Sequence, residues 1–163
     1  MTASLTFADS ILINADPNTV YATVSDVTRT GEWSPICREC WWDDGDGPQV
    51  GAWFTGRNVT ADREWETRSQ VIVADDGRAF GWSVGPGRVH WTYRVEAVDG
   101  GTRLTESWEF LPEGQEFFVE KYGDRADEQV AERTAAARKG IPETLRAIKR
   151  VIEQQDEISR RRA

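Results

Sequence analysis

From about Cys37 to Phe110 the sequence is cut at short intervals by turn-forming clusters, and this punctuation constrains the fold more than any other feature. The clusters are Asp43-Asp-Gly-Asp-Gly-Pro48, Thr60-Ala-Asp62, Asp75-Asp-Gly77, Gly85-Pro-Gly87 and Asp99-Gly-Gly101. Gly reaches positive φ freely, Pro pre-sets its own φ, and Asp satisfies nearby backbone N–H groups, so each cluster can reverse the chain. The segments between them are too short for ordinary helices and are rich in alternating aromatic and β-branched residues. The spacing predicts an antiparallel meander of six strands over 37–110.

What flanks the meander differs in period. Leu5, Phe7, Ile11 and Ile13 alternate, which predicts a first strand over about 5–14. Asp16 then offers an N-cap and Pro17 a first helical position, and Val20, Val24 and Val27 share a face, so two short helices are expected over 17–34. After Leu111-Pro112 the pattern turns helical, from about 124 to 158, with Val130, Ala137, Ile141, Leu145, Ile148 and Ile152 forming one stripe. Gly140 and Pro142 predict a kink or break within it. The chain is expected to fold as one α+β domain over 1–163, in which a curved seven-stranded antiparallel sheet wraps a long C-terminal helix.

Charge excludes some functions. With 28 Asp and Glu against 20 Lys and Arg, the long-range field repels phosphate, so a nucleic-acid partner is not expected. The basic Arg160-Arg161-Arg162 end reads as a solvated helix terminus. No basic and apolar leader pattern and no long apolar run occur, so a cytoplasmic protein without an integral membrane segment is expected. Two cysteines are too few for a disulfide framework. The oligomeric state is expected to be monomer or homodimer.

Both cysteines fall in Glu32-Trp-Ser-Pro-Ile-Cys-Arg-Glu-Cys-Trp-Trp42. Two thiols without a second pair cannot complete a zinc knuckle, and a redox pair of the thioredoxin kind belongs on a turn opening a helix. Here the segment leaves Pro35 and enters a strand, where residues three apart face opposite sides. The thiols are therefore expected to diverge, with Cys40 and Trp42 inside, and neither metal nor redox work is assigned to them.

Several motifs carry a family resemblance: Ala15-Asp-Pro17, Glu32-Trp-Ser-Pro35, Val50-Gly51 with Phe54 and Gly56-Arg-Asn58, and Gly101-Thr-Arg-Leu-Thr-Glu-Ser-Trp-Glu-Phe110. With the element order, they resemble the START-like helix-grip superfamily (SRPBCC), and within it the bacterial polyketide cyclase/dehydrase-like proteins. The resemblance implies a deep cavity between sheet and C-terminal helix for a hydrophobic or aromatic small molecule, and it places Trp33 near the cavity mouth. It implies a fold more firmly than an activity.

Strand parity then nominates the lining. Residues 63–73 contribute Trp65, Thr67, Ser69, Val71 and Val73, and residues 78–84 contribute Phe80, Trp82 and Val84. Val89, Trp91, Tyr93 and Val95 follow, then Leu104, Glu106, Trp108 and Phe110. A curved sheet in a small domain needs large side chains for its core, but eight tryptophans is high for this length and four of them fall on this face, as a pocket lining would require. Glu106 interrupts an apolar series; desolvation there raises a carboxyl pKa and suits it to ligand hydrogen bonding or acid/base work, with Tyr93 as a second catalytic candidate. Thr67, Ser69, Tyr93 and Asn58 are candidate hydrogen-bonding groups. His90, the one histidine, alternates with Val89 and Trp91 and so is expected to point outward, which leaves no basis for a triad or a histidine metal site.

Three functions follow as expectations. The first is a carrier or sequestering protein for a hydrophobic ligand, needing no cofactor or metal. The second is a polyketide aromatase/cyclase using positioned acid/base groups in the same cavity, where catalysis rests on orientation and leaves a faint sequence signature. The third is a regulatory or stress protein acting through a macromolecular contact.

Overall fold

The structure, a computed structural model, describes residues 2–45 and 47–162; Met1, Ala163 and Asp46, which belongs to the expected turn cluster at 43–48, lie outside the described residues. Strand β1 (Leu5–Ile13) leads into α1 (Pro17–Val24) and a 3-10 helix (Val27–Glu32). Six strands follow: β2 (Cys37–Trp42), β3 (Trp53–Val59), β4 (Glu64–Asp75), β5 (Ala79–Val84), β6 (Val89–Val98) and β7 (Gly101–Phe110). The chain closes with α2 (Pro112–Tyr122), a 3-10 turn (Gly123–Arg125) and α3 (Ala126–Arg162).

The seven strands form one curved antiparallel sheet in the order β1-β7-β6-β5-β4-β3-β2. Each meander strand pairs with its sequence neighbour, as short turns require, and β1 closes on β7 in unbroken register from Leu5↔Phe110 to Ile13↔Thr102. Two bulges interrupt the regularity. One lies between Cys37 and Glu39 in β2, the other between Val71 and Val73 in β4. An extra residue turns every side chain beyond it to the other face.

Local chemistry starts and stops the helices. The Asp16 carboxylate accepts from the Thr19 N–H at 3.0 Å and the Thr19 hydroxyl at 2.8 Å, and Pro17 occupies the first turn, where its missing N–H costs nothing. The α2 segment lies where the sequence reading expected no helix. Pro112 opens it and Gly123, at φ 55°, ends it. Helix α3 runs unbroken through Pro142. The carbonyl that Pro142 cannot bond belongs to Arg138, which is exposed to water, so the break expected at this position does not occur.

The core lies between α3, α1 and the concave face of the sheet. Ile141, Leu145, Ile148 and Ile152 from α3 and Phe80, Leu104 and Phe110 from the strands are almost wholly buried, each contributing about 1.5–3 kcal/mol. Val130, expected in the same stripe, is only half-buried. No helix among the described residues is long and apolar enough to cross a membrane.

Candidate functional site

Toward the β2–β5 side the sheet curves away from α3, and the core gives way to a cavity of about 790 Å³. Its walls are the inner faces of β2–β7, the 3-10 helix at 27–32 with Trp33, and the facing surfaces of α2 and α3. That volume lies within the range that holds a drug-sized molecule. A shallower depression of about 560 Å³ beside the β4–β5 turn, between Pro17 and Ala97, has no buried titratable side chain on its walls.

The strand parity of β5, β6 and β7 is unbroken, so their large side chains converge. Trp82 is the hub: its ring lies 5.8 Å from Phe80, 5.8 Å from Tyr93 and 5.9 Å from Phe54, and it stacks on Trp91 at 6.5 Å with the planes 16° apart. Cross-strand pairing explains the stack, because Trp82 and Trp91 sit directly opposite in the β5–β6 ladder. Trp108 meets Phe110 edge-on at 6.0 Å. These contacts make the wall one continuous aromatic surface.

Glu106 interrupts this aromatic surface. It is 4% exposed, and its Oε2 is the one buried side-chain nitrogen or oxygen among the described residues with no hydrogen-bond partner. Burial pushes its carboxyl up to about 8, so the group is largely protonated at neutral pH. Tyr93 sits directly across the β6–β7 ladder and is 4% exposed. Burial, and then the nearby Glu106 charge, raise its phenol well above the ordinary range, while the adjacent Trp33 indole opposes them. An acid able to donate a proton thus faces a phenol that keeps its own.

The edge of the cavity on β3 and β4 is more polar. The Asn58 amide donates to the Thr67 hydroxyl at 3.2 Å and to the Trp65 carbonyl at 3.4 Å, and Ser69 is 2% exposed beside them. All eleven residues nominated from the sequence, Trp33, Asn58, Trp65, Thr67, Ser69, Phe80, Trp82, Trp91, Tyr93, Glu106 and Trp108, line this one cavity. His90 points to the convex face, where its Nδ1 is 3.9 Å from Glu109.

Two expectations require correction. Val73 does not face inward: the β4 bulge pairs it with Gly81 and brings Ala74 opposite Phe80 instead. The thiols of Cys37 and Cys40 do not diverge. The β2 bulge sets Cys37 opposite Asn58 and Cys40 opposite Gly56, placing both on the inner face with their Sγ atoms 3.4 Å apart. Trp42 also faces inward, packing edge-on against Phe54 at 5.6 Å, while Trp41 is 37% exposed.

The sequence reading missed the α2 side of the cavity. Phe117, Phe118 and Tyr122 cover it, with the Phe118 ring 5.0 Å from Phe110 and 5.1 Å from Tyr122. Helix α2 sits close to the β5–β6 turn because position 114 is glycine: a Cβ there would lie 2.5 Å from the Arg88 carbonyl oxygen. Cations also cluster at the rim, each laid on an aromatic ring. Arg63 is 3.9 Å from the Trp65 centroid, Arg88 is 3.5 Å from Phe117, and Arg133 is 5.5 Å from Phe118. Aromatic residues at 117, 118 and 122, which is i, i+1 and i+5, were the available signal, but they fell in a stretch read as a connection.

Sequence and structure comparisons agree with this architecture. Residues 4–153 match the family described as polyketide cyclase/dehydrase and lipid transport. The chain belongs to that family. A Polyketide_cyc-like protein of Corynebacterium glutamicum, Cgl2372, known from a solution NMR structure, is 60% identical over 96% of each chain, with a TM-score of 0.72. At lower identity the fold alone is shared. Protein NE0264 of Nitrosomonas europaea is 11% identical over 94% of this chain and 97% of its own, with a TM-score of 0.71. The di-domain aromatase/cyclase StfQ of the steffimycin biosynthetic pathway is 14% identical over 95% of this chain and 52% of its own, with a TM-score of 0.69. None of the curated proteins compared matches by sequence.

Proposed function

We propose that this member of the polyketide cyclase/dehydrase and lipid transport family binds a hydrophobic or aromatic small molecule in the cavity and acts as a carrier or sequestering protein. The observation that carries the reading is the unpartnered, protonated Glu106 on an otherwise aromatic wall. An unpaired buried polar atom costs roughly 1–3 kcal/mol, and a ligand carbonyl or hydroxyl accepting the Glu106 proton would recover that cost. Apolar contact with Trp82, Trp91 and Trp108 supplies affinity, and Glu106, Asn58 and Ser69 supply orientation.

The same carboxyl favours a second reading, an aromatase/cyclase activity like that named for StfQ. A carboxyl titrating near 8 can protonate a hydroxyl that leaves as water, and the resulting carboxylate can recover a proton from the carbon next to a carbonyl. Tyr93, held protonated, would polarise that carbonyl. Everything else such a reaction needs is positioning by the aromatic wall.

Tryptophan emission tests the binding reading directly. Titration with a panel of polyphenols, flavonoid-like compounds and acyl chains is expected to quench or shift it with at least one compound class. Unchanged emission across the panel overturns the proposal. Turnover of a poly-carbonyl substrate by the wild type that is abolished in Glu106→Gln separates the enzyme from the carrier.

A further inference from the structure

We propose that Cys37 and Cys40 form a redox-active dithiol on the cavity wall, which a low-molecular-weight disulfide entering the cavity converts to an intramolecular disulfide. The inference stands apart from the identity of the cavity's ligand. It begins with the β2 bulge, which places two cysteines three apart in sequence on one face of a strand. Their Sγ atoms are 3.4 Å apart, and both line the cavity. The residue across the ladder is Gly56, where a Cβ would come within 3.2 Å of both sulfurs, so the space in which they meet exists because that position carries no side chain. A disulfide of about 2.0 Å needs the two sulfurs to approach by about 1.4 Å.

The two thiols are unequal in the way the reaction requires. Cys37 is half-buried and Cys40 is buried. The hydrogen bond between the two thiols holds the Cys37 thiol below its ordinary value, with smaller contributions from the Glu39 backbone and the Arg57 charge, whereas Cys40 is pushed far upward by Cys37 and by burial. Cys37 is thus the attacking thiolate and Cys40 the resolving thiol. In the first step Cys37 attacks one sulfur of the small disulfide, a mixed disulfide forms, and one small thiolate leaves and takes up a proton. In the second, Cys40 gives up its proton and attacks the Cys37 sulfur, and the second small thiol departs. Two protein thiols are oxidised and one small disulfide is reduced to two thiols. Two sulfurs cannot complete a zinc site, and no group of three metal-ligating side chains occurs among the described residues.

The test exposes the reduced, folded, full chain to 2-hydroxyethyl disulfide and follows intact mass and free thiols. The expected product has lost about two daltons, with no thiol left and no adduct retained. Cys40→Ser is expected to stop as the mixed disulfide at Cys37, and Cys37→Ser to react about tenfold or more slowly than wild type. The wild-type result is decisive even if a variant fails to fold. Retention of both thiols, a stable mixed disulfide in the wild type, disulfide-linked dimers, or faster reaction at Cys40 than at Cys37 each overturns the proposal.

Discussion

The β5–β7 wall and the β2–α2 side enclose the same cavity yet follow different rules. On β5–β7 every cross-strand pair is in register, so alternation along the chain places Phe80, Trp82, Trp91, Tyr93, Glu106 and Trp108 on one face. On the other side one extra residue in β2 brings together two thiols that strict alternation would separate, and a helix after Pro112 supplies aromatic cover from a stretch without strand periodicity. Alternation is a sound guide to a site only where the ladder is continuous.

The largest expected effect distinguishes a rigid wall from an adaptable one. Phe80, fully buried among the β5–β6 aromatics, when replaced in Phe80→Ala, should cost about 3–5 kcal/mol in denaturant unfolding. A loss below about 1 kcal/mol would mean that the wall repacks as freely as a surface.

On the opposite side, Gly114→Ala forces a Cβ against the Arg88 carbonyl, so α2 must move away from the β5–β6 turn. The expected cost is about 1–3 kcal/mol. Any ligand found by fluorescence titration should bind more weakly to this variant, because Phe117 and Phe118 move with the helix. Unaltered affinity would show that α2 is not part of the site.

Glu106 tests the regular wall through pH. Its folded value of about 8 lies above its unfolded value near 4.5, so folding takes up a proton between those limits. Stability therefore falls as pH rises through that window and levels off above it. Relative to Glu106→Gln, the wild type should lose about 3–4 kcal/mol between pH 5 and 8. Parallel melting profiles for the two chains over that range would place an ionised, compensated carboxylate at 106.

The smallest effect belongs to the convex face. His90→Ala removes an outward, partly exposed side chain, and stability and ligand affinity should stay within about 0.5 kcal/mol of wild type. A larger loss of affinity would mean that the convex surface contributes to binding.

How much was legible in the sequence varies along the chain for physical reasons. The turn clusters announced the strands because Gly, Pro and Asp act through their own backbone. The inward set on β5–β7 was readable because side chains alternate in a regular strand, and Glu106 stood out as a charge in an apolar series. Pro142 misled in the opposite direction. Its lost hydrogen bond predicts a kink or a break, but there is no break: the bond is lost at Arg138, an exposed residue, and the buried stripe from Ala137 to Ile152 continues on both sides of the proline.

The sequence by itself determined the order of strands and helices, the apolar stripe of α3 and the aromatic face of the central strands, because each depends on interactions within a few residues or on strict periodicity. Tertiary structure decided the rest: the bulges that turn Val73 outward and bring Cys37 to Cys40, the seating of α2 on Arg88, and the absence among the described residues of any partner for Glu106 Oε2. A bulge reflects how two strands fit against each other, and an orphaned carboxyl is defined by what surrounds it. Neither is written in the residue that displays it.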